Sequence, residues 1–126
     1  MIELGGALNS LVWSPDAKRL AAATDDRAIR VYDAGTGRVL QVLAGHKRLL
    51  TAVAYAPDGQ TLASTDGRTI KLWHAATGRE MLTIYRDPKI GDAVQWLECT
   101  RDGLRLLASD AGGRVQIFLA APANAL

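Results

Sequence analysis

Short apolar runs separated by turn residues recur along the chain, and their order repeats about every 42 residues. Each repeat opens with an apolar run that closes on a turn containing aspartate, at residues 8–16, 50–59 and 94–103. Pro15 and Pro57 stand just before the turn aspartate. Proline ends a strand there because it has no N–H group to donate to a neighbouring strand. The pattern predicts a strand and a hairpin turn at the start of each repeat.

Two further strand-like runs follow in every repeat. The second run contains Leu-Ala-Ala or Leu-Ala-Ser, or a close variant, and ends at a turn of Asp and Gly, which tolerate turn geometry. The third run alternates apolar and polar positions and ends on an aromatic ring, as a half-buried strand does. The second runs span residues 19–24, 61–65 and 105–109, and the third runs span 28–32, 69–73 and 115–118. The chain is therefore predicted to consist of antiparallel hairpins.

A fourth run follows only in the first two repeats, at residues 39–43 and 80–85. After Phe118 the chain passes through Pro122, which disfavours a paired strand. Eleven strands are thus predicted downstream of residue 7. The segment before the first repeat stands where the fourth strand of a preceding repeat would be, and we assign the outer strand of the third repeat to it: Met1, Ile2, Glu3 and Leu4.

The repeats resemble the WD-repeat family of β-propellers across nearly the whole chain. The resemblance rests on Ser14-Pro15-Asp16, Ala56-Pro57-Asp58-Gly59, Leu62-Ala63-Ser64, Thr69-Ile70-Lys71-Leu72-Trp73 and Gly45-His46. It implies an all-β fold of three four-stranded antiparallel blades, arranged radially about a channel as part of a β-propeller. The implied blades span approximately residues 1–45, 46–87 and 88–126 of a single domain, 1–126.

The resemblance also implies a buried hydrogen-bonded set in the second blade, formed by Trp73, Ser64 or Thr65, Asp66 and His46. Such a set is physically reasonable, because a buried indole N–H needs an acceptor and a buried imidazole needs a carboxylate or hydroxyl partner. We interpret His46 and Asp66 as a structural pair, although their residue types also suit catalysis. The matching positions of the other blades depart from this pattern: Thr24, Asp26 and Tyr32 without a histidine, and Ser109, Asp110 and Phe118.

Length, composition and charge exclude several classes of protein. The 126 residues allow one domain, and 48% hydrophobic with 22% charged residues is a globular composition. A net charge of +2 provides no strong field toward nucleic acid or membrane, and no apolar run is long enough to cross a bilayer. Cys99 is the single cysteine, so neither an intramolecular disulfide nor a cysteine zinc site is possible. No catalytic constellation is visible, and we expect a non-enzymatic protein without cofactor or metal.

The sequence also bears on source and compartment. The N-terminus lacks a basic region followed by a long apolar stretch, so we expect a cytoplasmic protein rather than a secreted one. Arginine outnumbers lysine 11 to 4 and alanine is abundant, which indicates a GC-rich bacterial genome.

Three blades do not close a ring, because propellers usually contain four to eight. Two open blade faces of about 400 Å² each would exceed the ~300–600 Å² of the largest apolar patch on a typical monomer. We therefore expect a homo-oligomer of six blades as a dimer or nine as a trimer, and favour the dimer. Residues 1–4 would close the ring by joining the third blade of the next copy. Alternatively, the chain is a piece of a longer propeller, although Met1 favours a start at this point.

The basic residues expected on one rim of the propeller make a candidate partner-binding surface for an acidic or phosphate-bearing peptide: Arg27, Lys47, Arg48, Arg68, Lys89 and Arg114. The resemblance implies a scaffold for protein–protein interaction. A small lectin-like propeller that binds glycans or other ligands is the alternative. We expect neither a membrane nor a nucleic-acid partner. Trp96 aligns with Ser10 and Ala52 near the channel, and we interpret it as core filler.

Overall fold

The structure, a computed structural model, describes residues 7–85 and 93–119. In that part of the chain it contains strands and turns, and no helix is long and apolar enough to cross a membrane. The strands are β1 (Leu8–Trp13), β2 (Arg19–Thr24), β3 (Ile29–Asp33), β4 (Val39–Leu43), β5 (Ala52–Tyr55), β6 (Thr61–Thr65), β7 (Thr69–His74), β8 (Arg79–Tyr85), β9 (Val94–Cys99), β10 (Arg105–Asp110) and β11 (Val115–Leu119). These correspond to the eleven strands predicted from the sequence, and the all-β fold class is confirmed.

The strands form three antiparallel sheets, and in each sheet the strands pair in chain order. Sheet 1 contains β1 to β4, sheet 2 contains β5 to β8, and sheet 3 contains β9 to β11. The fourth strand of sheet 3, which the sequence assigns to residues 1–4, lies outside the described residues. Each sheet is thus a meander of hairpins, the arrangement expected of a propeller blade.

The first turn of every sheet uses the same aspartate chemistry. The carboxylates of Asp16, Asp58 and Asp102 each accept the backbone N–H two residues further on, at 3.0 Å. The residue that follows each aspartate adopts a positive φ, of 60° at Ala17 and 72° at Gly59. Glycine adopts this left-handed conformation without steric cost, whereas alanine does not. The turn geometry therefore persists in sheet 1 despite the alanine, because the aspartate holds it.

The hydrophobic core lies between the sheets rather than within them. Small side chains of one sheet pack against large side chains of the next. Ala21 and Ala23 of sheet 1, for example, belong to one buried cluster with Leu62 and Trp73 of sheet 2. A second cluster between sheets 2 and 3 repeats the arrangement, with members Ala63, Ile70, Val94, Leu106 and Ala108. Sheet 2 is consequently covered on both faces, whereas the described residues cover only one face each of sheets 1 and 3.

The uncovered faces of sheets 1 and 3 are apolar. On the open face of sheet 1, Trp13 is 54% exposed and Val42 is also exposed; on the open face of sheet 3, Ile117 is 57% exposed. Trp96, interpreted above as core filler, is 60% exposed on that same face of sheet 3. That interpretation does not hold for the described chain, because no sheet packs on the side toward which Trp96 points.

Candidate functional site

A hydrogen-bonded set is buried in sheet 2, where three separate segments meet. His46 belongs to the β4–β5 link, Ser64 to β6 and Trp73 to β7. The indole Nε1–H of Trp73 donates to Ser64 Oγ at 2.8 Å, and Ser64 Oγ lies 2.7 Å from His46 Nε2. His46 Nδ1 lies 3.0 Å from the Oδ2 atom of Asp66, in the β6–β7 turn. The set therefore connects the link between sheets 1 and 2 to a turn inside sheet 2.

Asp66 holds its own turn as well as the histidine. Its Oδ1 atom accepts the backbone N–H groups of Arg68 at 3.0 Å and Thr69 at 2.8 Å. Its Oδ2 atom also accepts the Thr69 hydroxyl at 2.8 Å. Both carboxylate oxygens are thus fully engaged, as buried polar groups must be to avoid a large desolvation cost.

Thr65, the alternative to Ser64 in the sequence, lies outside this set. Its hydroxyl donates to the Thr69 carbonyl at 2.9 Å and accepts the Gly67 N–H at 3.0 Å. Adjacent residues of a strand point to opposite faces. The pairing of Leu62 with Trp73 puts Ser64 on the tryptophan side of β6. Ser64 is therefore the member that bonds the indole.

The order Ser64, His46, Asp66 has the geometry of a nucleophile, a base and an orienting carboxylate. The side chains of His46 and Asp66 are nonetheless almost completely buried, and Ser64 has no exposed surface. The Trp73 N–H also occupies an acceptor site on the serine oxygen. The arrangement gives a substrate carbonyl no access to Ser64, and it positions two chain segments relative to each other.

Burial and hydrogen bonding together set the charges of this set. Burial lowers the pKa of His46 from its ordinary 6.5, and the hydrogen bond to Asp66 opposes that shift only in part. Burial on its own would raise the pKa of Asp66, but hydrogen bonds from His46 and from the Thr69 and Arg68 backbone outweigh it, and the net shift is downward. His46 is accordingly neutral, donates from Nδ1 to the carboxylate and accepts the Ser64 hydroxyl at Nε2.

Acidification from about pH 7 to about pH 5 is expected to destabilise the protein through His46. Because the pKa of His46 is lower in the folded state than its ordinary 6.5, the unfolded chain takes up a proton first as the pH falls. The contribution of neutral His46 to the free energy of unfolding is complete above pH 6.5, the ordinary pKa of histidine. It is lost as the pH drops toward the lower pKa of His46 in the folded state. Urea unfolding at the two pH values measures the loss.

The two histidines of the chain provide the comparison. His46→Gln should flatten the dependence of unfolding free energy on pH, whereas His74→Gln should preserve it, because His74 is partly exposed and, among the described residues, its ring bonds the nearby Thr77 hydroxyl. A slope that is equally steep in His46→Gln would contradict the assignment.

Sheet 1 secures the corresponding turn without a histidine. Thr24 Oγ1 donates to Asp26 Oδ1 at 2.7 Å, and the guanidinium of Arg30 forms an ion pair with Asp26 and donates to Thr24 at 3.0 Å. The hydrogen bond from Thr24 lowers the pKa of Asp26. In sheet 3, Asp110 is buried and accepts the Arg114 N–H at 3.0 Å. The three turns are therefore held by carboxylates with different partners.

The structure divides the predicted basic rim. Lys47, Arg48 and Arg68 come together around a cavity of about 580 Å³. Arg27 and Arg114 are exposed in turns of other sheets and do not line it. Lys89 lies outside the described residues. In the described chain, three of the predicted rim residues therefore form one basic cavity beside sheet 2, and the other two are isolated charges.

Three residues that sequence reasoning missed, Lys71, Thr83 and Tyr85, complete the wall of this cavity. They lie on β7 and β8, which the sequence identified only as strands. A residue at an alternating strand position carries no sign in the sequence of which segment faces its side chain. The closeness of β8 to the β4–β5 link became visible only in the structure.

Comparison with known proteins gives family matches over much of the chain. Residues 37–74 match the family model "WD domain, G-beta repeat". Residues 2–53 match the model "Anaphase-promoting complex subunit 4 WD40 domain". The two matches overlap at residues 37–53, and together they cover residues 2–74, which include Trp73 of sheet 2.

Individual relatives match shorter stretches. The U5 small nuclear ribonucleoprotein 40 kDa protein of Pongo abelii is 41% identical over 46 residues, or 36% of this chain and 13% of that protein. The intraflagellar transport protein 122 homolog of Homo sapiens is 41% identical over 56 residues, or 44% of this chain and 4% of that protein. The chain thus spans a small part of the curated relatives that it matches.

Solved structures match nearly all of the chain. The structure of U3-55K and the crystal structure of the RRP9 WD40 repeats each superpose with a TM-score of 0.85 over 94% of the chain, at 25% and 26% identity. The chain spans 38% and 37% of those two solved chains. The fold of the three sheets is therefore that of consecutive blades within larger propellers.

Proposed function

This chain belongs to the WD-repeat family of β-propellers, and from that premise we propose that it is a non-enzymatic scaffold for protein–protein interaction within a ring of blades. Its buried set stabilises the blade and offers no reaction centre, since Ser64 is fully buried. The scaffold role agrees with the family, whose fold presents turns and links at a rim while the strands form a rigid support.

The open faces of sheets 1 and 3 support the proposal that further blades complete the ring. Tyr55 of sheet 2 packs against the first core cluster, whereas Trp13, at the equivalent position of sheet 1, is exposed. Leu72 of sheet 2 packs against the second cluster, whereas its equivalent in sheet 3, Ile117, is exposed. Positions that sheet 2 buries are thus left open at both ends of the three-sheet array.

We assign the missing blades to further copies of the chain, joined head to tail. The open face of sheet 1 would pack on the open face of sheet 3 of the next copy, so that two copies form six blades and three copies form nine. The six blades of a two-copy ring fall within the usual range of four to eight blades. Residues 1–4 would then pair with the edge of β11, which pairs only with β10 in the described chain.

Native mass spectrometry and sedimentation at micromolar concentration test this assembly. The expected result is one species at twice the chain mass of 13.5 kDa, with three times that mass as the alternative ring. Deleting residues 1–6 should weaken the assembly by removing the predicted closing strand. A monodisperse species at the chain mass would contradict the self-assembled ring, and an unchanged mass and melting temperature after the deletion would contradict the closing strand.

A further inference from the structure

The cavity beside sheet 2 holds an excess of positive charge. Among the described residues, four cations and one carboxylate line it: Lys47, Arg48, Arg68, Lys71 and Asp66. Lys71 is neutralised by an ion pair with Glu80. The three other cations form no ion pair with any residue that the structure describes.

Arg68 is partly buried beside the cavity, and one of its guanidinium nitrogens is fully buried. Its Nη1 atom is inaccessible to solvent and has no hydrogen-bond partner among the described residues. A buried donor without an acceptor costs free energy, and the cost is larger for a charged group. Arg68 also lines the cavity, and a planar guanidinium binds carboxylate and phosphate oxygens with two parallel hydrogen bonds.

The buried set holds together the two chain segments that bring the three cations to one cavity. Lys47 and Arg48 directly follow His46, while the Arg68 N–H donates to Asp66 Oδ1. The hydrogen bond between His46 and Asp66 therefore joins the two segments that carry the cations. Positioning the charges before a ligand arrives lowers the entropy cost of binding it.

The size and surroundings of the cavity favour a peptide side chain. A volume of about 580 Å³ lies within the ~300–1,000 Å³ range of ligand pockets and exceeds the size of a lone anion. Tyr85, which is 79% exposed, adds an aromatic surface for a neighbouring residue of the ligand. Nucleic acid is less suitable, because its binding neutralises a row of phosphates and these cations are confined to one cavity.

We propose that this cavity binds a phosphorylated serine or threonine side chain of a partner protein, with Lys47, Arg48 and Arg68 as its ligands. The phosphoryl group carries about two negative charges, and three cations that form no ion pair with a described residue accommodate it better than the single charge of a carboxylate. The inference rests on the proposed interaction function, since it names the chemistry of the partner.

Calorimetric titration of the full chain tests the proposal. The probes are a Gly-Gly-phosphoserine-Gly-Gly peptide, the same peptide with serine or glutamate, inorganic phosphate and a short single-stranded DNA. The phosphopeptide is expected to bind at least about tenfold more tightly than each other probe. Equal affinity for inorganic phosphate would overturn the peptide assignment, tighter binding of DNA would favour nucleic acid instead, and absence of phosphopeptide binding would overturn the site.

Charge-neutral variants locate the binding. Arg68→Gln and Arg48→Gln should each weaken phosphopeptide binding about tenfold or more, whereas Arg38→Gln, in the β3–β4 turn at the opposite end of the strands, should not. Arg68→Gln keeps the backbone N–H that bonds Asp66, and its melting temperature without phosphate should equal or exceed that of the parent, because it removes a buried donor that has no partner in the described part of the chain. An equal loss in Arg38→Gln would indicate nonspecific charge and reject the site.

The native mass separates this inference from the proposed function. An assembled ring that fails to bind the phosphopeptide would refute the cavity alone. A chain that binds the phosphopeptide but stays at 13.5 kDa would refute the self-assembled ring and support the cavity, because all its described ligands belong to one chain.

Discussion

Replacing Trp73 by alanine is expected to lower the free energy of unfolding by about 3–5 kcal/mol, the range for removing a large aromatic side chain from a core. Trp73 is almost fully buried and belongs to the cluster that joins sheets 1 and 2. Its loss also removes the N–H donor to Ser64 and the ring that lies beside His46, with centroids 6.4 Å apart. Urea unfolding at fixed protein concentration measures the effect, because assembly would add to the apparent stability.

Two further variants separate packing from hydrogen bonding. Trp73→Phe retains much of the apolar volume but removes the donor to Ser64, and it should cost less than the alanine variant. Tyr85→Ala removes an aromatic ring that is already exposed to solvent, and it should change the stability by less than about 1 kcal/mol. If Trp73→Ala cost no more than Tyr85→Ala, Trp73 would not stabilise the cluster that joins sheets 1 and 2.

Placing a charge on either open face is expected to separate the proposed ring into single chains. Trp13→Glu changes the open face of sheet 1, and Ile117→Asp changes that of sheet 3. In a closed ring each introduced carboxylate would be buried without a partner, at a cost of about 3 kcal/mol or more, which corresponds to roughly a hundredfold loss in the association constant. Native mass spectrometry should show the chain mass for both variants.

The combination of the two variants tests the head-to-tail geometry. Each variant keeps one unmodified face, so a mixture of Trp13→Glu and Ile117→Asp chains should form an open pair through the one intact junction. Leu104→Asp is the control, because Leu104 is exposed in the β9–β10 turn and not on either open face. A face-to-face dimer made only by sheet 1 would instead leave Ile117→Asp assembled, which would contradict the proposed junction.

The sequence predicted the strands well because each hairpin is a local structure. Alternating apolar residues and the aspartate turns act within a few residues, so the runs ending at Tyr32 and Trp73 correspond to β3 and β7. The choice between Ser64 and Thr65 needed more than alternation. It depended on the pairing of Leu62 with Trp73, which determines the face of β6 that meets the indole.

The cavity illustrates what the order of residues leaves open. Lys47 and Arg48 are about twenty positions from Arg68 in the chain, and each is an ordinary basic residue of a turn or link. They line one cavity because His46 bonds Asp66 and because β8 lies alongside. The sequence grouped them with Arg27 and Arg114, which the structure places in other sheets.

By itself, the sequence determined the repeat, the strand order within each sheet and the turn chemistry, since these depend on neighbours along the chain. Only the tertiary structure decided which faces stay open and which charges converge. The same alternation of apolar residues describes Leu72, covered by sheet 3, and Ile117, exposed beyond it. Burial depends on the presence of a neighbouring sheet, a property of packing that a strand pattern does not contain.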